Sequence, residues 1–171
     1  MREDTAEAPP APGRADLIEP FWLAYQRACQ VKVEGFAASA LGATRALADT
    51  LAELVRGDIK RAHATLRRDF ERDLDPLPQP GEHLVVLDGA GCPQAIVRHG
   101  HVELRHFNEI DDAFAFEAGE GDLSLRWWQT AHRQEFGERA EREGFEMDER
   151  AVLVLEYFER VWPREGSAAK P

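Results

Sequence analysis

The hydrophobic periodicities along this chain predict an α+β domain: a small curled antiparallel β-barrel surrounded by helices. Three observations carry that prediction. Helical spacing dominates the first third of the sequence; two strand-like runs flank the turn Asp88-Gly89-Ala90-Gly91; and a long amphipathic stretch precedes the alternating run AVLVLEYFERVW.

Residues 1–14, with Pro9, Pro10, Pro12 and Gly13, have almost nothing to bury and read as a disordered tail. Asp16 is placed to cap a helix through FWLAYQRAC, whose apolar stripe is Phe21, Trp22 and Tyr25. Residues 30–43 read as an irregular connection broken at Gly35 and Gly42. Leu47, Leu51, Leu54 and Val55 then recur at the i, i+4, i+7, i+8 spacing of one helix face. That helix covers about 44–56, with Thr44 as its cap and Gly57 as a left-handed stop.

A basic segment follows, then Pro76, Pro78, Pro80 and Gly81 as a rigid turn into the strand His83 to Leu87. Across the Asp88–Gly91 turn, Gln94 to Arg105 reads as the returning strand, with Gly100 as a bulge. Asn108 or Asp111 starts a short helical turn through Phe114 and Phe116. Asp122 fits the N-cap and Gly144 the stop of a helix that puts Leu125, Trp128, His132 and Phe136 on one face. Ala151 to Trp162 is the closing strand, with Val152, Val154, Glu156 and Phe158 on one side and the other apolar residues opposite.

At 171 residues and 43% hydrophobic, the chain supports one domain with a real core, and no apolar run approaches membrane-spanning length. The opening MREDTAEAPPAPGR has no apolar segment of the signal-peptide kind. Cys29 and Cys92 form no CxxC and read as reduced structural thiols, which suits a cytoplasmic protein. A net charge of −11 argues against unspecific adhesion to nucleic acid. The charge is segregated, however. Between Arg56 and His106, eight Lys/Arg balance eight Asp/Glu beside five of the six histidines, so an anionic ligand is tolerated there.

Lys60, with His63 three residues on, is either a solvated basic turn or a lysine for a phosphate or carbonyl oxygen with an imidazole to move a proton. Glu117, Glu120 and Asp122 beside Gly119 and Gly121 are either helix-capping acids or a backbone shaped around something. Trp128 and His132 fit the core face, while the neighbouring Trp127 points about 100° away and is a possible stacking platform. His99 and His101 share a face if the strand is regular, with His106 beside them. The sequence has no G-x-S-x-G, P-loop, G-x-G-x-x-G or HExxH.

LAELVRGDIKRAHATL, LPQPGEHLVVLDGAGCPQAIVR, FAFEAGEGDLSLRWWQTAHRQEF and VLVLEYFERVWP together resemble the ASCH domain family, small bacterial and eukaryotic domains with a PUA-like β-barrel. The likeness runs from about residue 16 to 163, and GEGDLSLRWWQTAH is its sharpest piece. It implies a single domain over 15–163 with an N-terminal helical extension, between tails at 1–14 and 164–171.

The resemblance also implies a cleft, between the lysine motif and the acidic Gly-rich loop, that binds RNA or a nucleotide. One branch of the family hydrolyses the amide of N4-acetylcytidine with a lysine, a threonine three residues later and a glutamate of the acidic loop. Matched onto this chain, the lysine is Lys60, the glutamate is Glu120 (Glu117 with a gap), and the threonine position holds His63. An imidazole moves protons but does not supply that hydroxyl. Binding therefore leads. The alternative is a hydrolase, either an amidohydrolase or a ribonuclease, with Lys60, His63 and Glu120 as its catalytic set. Ligand contacts are assigned to Arg61, Thr65, Arg67, Arg98, Glu117, Ser124 and Trp128, with neither metal nor cofactor.

Overall fold

The structure, a computed structural model, describes residues 7–164; the outermost parts of the two expected tails lie outside the described residues. In chain order the elements are α1 (Ala15–Cys29), β1 (Ala37–Ala40), α2 (Arg45–Arg56), β2 (Ala62–Leu66), α3 (Arg67–Asp73), β3 (His83–Leu87), β4 (Pro93–His106), α4 (Asp112–Ala118), α5 (Leu125–Glu143) and β5 (Val152–Trp162). The five strands form one sheet in the order β1-β3-β4-β5-β2. Its pairs are antiparallel except β1–β3, which runs parallel at one edge, so the expected curled sheet is present as a mixed half-barrel. No helix among the described residues is long and apolar enough to cross a membrane.

Strand β3 is buried along its whole length because helices cover both its faces. On one side Ile18, Trp22 and Tyr25 of α1 pack against Val85, Leu87 and Ile96. On the other, Leu51, Ala52 and Val55 of α2 pack against Leu84, Val86 and Val97. Farther along the sheet, Phe114, Trp128 and Phe136 from α4 and α5 cover Leu153 and Leu155 together with Ala62, Ala64 and Leu66. Register shifts at Ile96/Val97 and at His99/His101 bend β4 as it passes from β3 to β5. Gly100 is the extra residue at the second shift, as expected.

At several points the structure differs from what the sequence predicts. The stretch 30–43 contains β1, whose AASA is small and mostly exposed and so carries no alternation to detect. Helix α1 begins after Arg14, and Asp16 sits in its first turn paired with Arg14 at 2.9 Å instead of capping it. Gly57 has φ −84°, and the left-handed conformation falls on Asp58 at φ +59°. The cap of α5 is Ser124, whose hydroxyl accepts from Trp127 N, while Asp122 takes the Ser124 hydroxyl and amide. Part of the first expected tail is bonded down, since Ala11 N donates to Gly89 O and Arg14 N to Gly91 O, both at 2.9 Å. Gly91 has to be glycine there: at φ +80° an added Cβ would lie 2.1 Å from Pro12 O.

Thr44 caps α2 as predicted, accepting from Leu47 N at 3.2 Å. Replacing Thr44 or Ser124 by Ala is expected to lower stability by about 1 kcal/mol each, with Ser124→Asp retaining most of it. Urea unfolding midpoints at constant slope measure both.

Candidate functional site

After α2 the backbone folds back on itself, with Ile59 N and Lys60 N both donating to Leu54 O at 3.0 Å. From there the chain runs into β2, and Arg61 N donates to Glu117 O at 2.7 Å, so the lysine segment lies against the end of α4. Gly119 makes that approach possible. It ends α4 at φ +71°, and a Cβ there would stand 2.3 Å from Ile59 O and 2.8 Å from Lys60 Cα. Gly121 does the same for Trp127, whose ring lies where a side chain would be, 2.0 Å from the Cβ position. The glycines of the acidic loop are thus shaped around the protein's own backbone and indole.

This close approach puts Lys60 Nζ 3.2 Å from Ala118 O and 3.2 Å from Glu120 Oε2. The lysine side chain has no exposed surface, and that of Glu120 is 8% exposed. Burial lowers the Lys60 pKa, opposed by the Glu120 charge and hydrogen bond. Beyond Glu120 opens a cleft of about 830 Å³, walled by β2, the residues around β1, α3 with the Pro76–Pro78 turn, and α5. Glu120, His63, Thr65 and His132 line it, whereas Lys60 stands behind Glu120 and does not.

The cleft's histidines fall into two states. His63 carries a buried Nδ1 with no hydrogen-bond partner, and burial, with Lys60 and His132 nearby, pushes its pKa well below the usual value. His132 lies stacked on Trp128 at 4.0 Å between centroids. Its Nδ1 donates to Trp128 O at 2.9 Å, leaving Nε2 3.8 Å from Glu120 Oε2. Burial lowers its pKa despite Glu120. His83, bonded to the Tyr25 hydroxyl at 2.9 Å, is lowered by burial too. His99 is the exception. Its Nε2 meets Glu156 Oε1 at 2.8 Å and its Nδ1 meets Glu82 O at 3.2 Å, two acceptors that only an imidazolium satisfies at once. Burial works against that charge, but the Glu156 bond outweighs it and raises the pKa.

Of the residues singled out in the sequence, His63, Thr65 and Glu120 come together in the cleft. His63 and Thr65 do so because β2 alternates, its alanines and Leu66 facing the core. The others lie elsewhere. Arg61 pairs with Glu117 at 2.8 Å, and Arg67 pairs with Glu71 at 2.9 Å along exposed α3. Arg98 pairs with Glu159 in a second hollow beside Tyr25 and Cys29. Ser124 is the α5 cap and Trp128 is core.

His99 and His101 do not share a face. The Gly100 bulge turns His99 toward Glu156, while His101 meets Tyr157, which projects from the opposite side of β5. Glu135 and Glu156 also belong to the cleft, though neither lies in a motif that marks it as a site residue. A lone acid in the apolar run of β5, and an acid one turn after His132, were the available signals. Nor is the cleft electrically neutral: its lining carries eight acids, Glu120, Glu135 and Glu156 among them, against Arg72, Arg139 and Arg142. Among the described residues no cluster of His, Cys, Asp or Glu is arranged to hold a metal ion.

Unfolded histidines take up protons near pH 6.5, whereas His63, His83 and His132 resist them in the fold, so stability is expected to fall as pH drops below about 6.5. His63→Gln is expected to flatten that loss, measured as urea midpoint against pH. The His99–Glu156 pair has the opposite sign, its contribution complete below about pH 6.5 and fading as pH rises through the raised His99 value. Separately, Lys60→Met leaves the Glu120 charge buried and alone, and is expected to cost about 3–5 kcal/mol, much of it recovered on adding Glu120→Gln.

The sequence profile of the ASCH domain matches residues 37–162. An ASCH domain structure from Lactobacillus crispatus JV V101 is 32% identical and superposes with a TM-score of 0.79, over 87% of this chain and 96% of that one. A protein from Enterococcus faecalis V583 shares the fold at TM-score 0.78 and 22% identity, over 92% of this chain and 99% of that one. No curated protein matches the sequence. A match over most of the chain and a relative of that identity place it: the chain belongs to the ASCH domain family.

Proposed function

We propose that the cleft binds one unstacked base of a nucleotide or of an RNA strand, with sugar and phosphate left toward its rim. The observation that carries this reading is that one cleft is lined by both the Glu120 carboxylate and His63, whose buried Nδ1 has no partner among the described residues. A volume of about 830 Å³ lies within the range of small-molecule sites. Reading a splayed-out base through hydrogen bonds to its edge is the usual route to single-stranded RNA. Half-buried Phe70 on the cleft wall offers a ring for stacking, and Arg142 offers charge for a phosphate.

A second reading, hydrolysis of the bound ligand, is favoured by the His63 imidazole, which burial favours in its neutral form, in the same cleft as Glu120 and the Thr65 hydroxyl. An imidazole held neutral accepts a proton from water, and a buried carboxylate steadies the cation that results. Its substrates would be a modified nucleoside such as N4-acetylcytidine, or RNA itself.

His63→Ala and Glu120→Gln are each expected to weaken binding of a short labelled RNA about tenfold, read by fluorescence anisotropy, with the fold retained by circular dichroism. Unchanged affinity in both variants would sink the binding site as drawn. Chromatography of the same samples, with N4-acetylcytidine run alongside, decides the second reading. Product that appears with the wild type and disappears with both variants makes the protein a hydrolase; binding without product leaves a binding module.

A further inference from the structure

The half-buried carboxyl of Glu135 lines the cleft one turn along α5 from His132, whose Nε2 is 3.8 Å from Glu120. Among the described residues it has no hydrogen-bond or ion-pair partner, although a cation stands at the next turn. Arg139 turns instead to Asp69 at 2.8 Å and to Glu143 at 3.5 Å. Gln134, its chain neighbour, bonds to Glu138. Two carboxyls, Glu120 and Glu135, therefore face one cavity within reach of each other's charge. Burial and the Glu120 charge hold the Glu135 proton to higher pH than an ordinary carboxyl. The arginines nearest this wall are already engaged with Asp69 and Glu143.

We propose that Glu135 is a specificity-determining residue which, with Glu120, restricts the cleft to bases carrying an exocyclic amino group. The inference rests on the base-binding reading and deepens it. A carboxyl accepts from the amine of cytosine, adenine or guanine, as Glu and Asp do from cytosine N4 in DNA recognition. Uracil has no such amine: its one ring donor is flanked by two carbonyl oxygens, and the Glu120 carboxylate, paired with Lys60, has no proton to give them. Rejection is the stronger effect, because buried polar groups left unpaired weaken binding more than matched ones strengthen it.

The test measures binding of cytidine, adenosine, guanosine and uridine by calorimetry, with wild type, Glu135→Gln and Glu135→Ala. At least one amino-bearing nucleoside is expected to bind wild type about tenfold tighter than uridine. Glu135→Gln, whose amide can donate to a uracil carbonyl, is expected to shrink that ratio several-fold with the melting temperature unchanged. A structural role would move all four affinities together and leave the ratio alone. Uridine binding as well as the others in wild type, or an unchanged ratio in both variants, overturns the proposal by itself. No binding of any nucleoside or of RNA overturns it together with the base-binding reading beneath it.

Discussion

Lys60 brings a charge-bearing nitrogen to a place without water, and the cleft depends on how that nitrogen is satisfied. One bond goes to the Ala118 carbonyl and one to Glu120, both at 3.2 Å. A buried ion pair of this kind is a weak source of stability, because removing two charges from water offsets most of their attraction. What it supplies is position. Glu120 is fixed at the cleft floor, the acidic loop is tied to the start of β2, and His132 is held beside the same carboxylate. Around this pair Gly119 and Gly121 lack side chains because backbone and indole fill that space. The lysine motif and the Gly-rich loop, far apart in sequence, form one object.

The cleft that results is a chamber of matched but unequal groups. Glu156 favours the charged form of His99, and burial favours the neutral forms of His63 and His132. Acids outnumber arginines along the walls, and the Asp69–Arg139–Glu143 contacts bind α3 to α5 over one side. Such a lining favours ligands that bring donors inward and keep negative charge outside.

Much of this was legible in the sequence, and the parts that were not share a cause. β3 could be read to the residue because it is continuously apolar, and the Thr44 cap because its chemistry is local. Lys60 and Glu120 could be matched as motifs, but their contact could not, since it spans 60 residues of chain. The edge strand β1 escaped because four small residues carry no periodicity. Arg98 looked like a phosphate ligand from charge alone, yet it projects into a different hollow, beside Tyr25. Glu135 escaped because an acid on a helix is ordinarily solvent-facing, and only the tertiary fold makes its surroundings unusual.

Helix α1 lies outside the span matched by the ASCH profile, yet it covers a whole face of β3 and sends Tyr25 to His83 on the cleft wall. The span that the family profile recognises and the packed core are therefore different lengths of chain. Change accumulating in α1 can reshape the far wall of the pocket while every residue of the shared motif stays as it was. Kin with the same signature and a different first helix need not prefer the same guest.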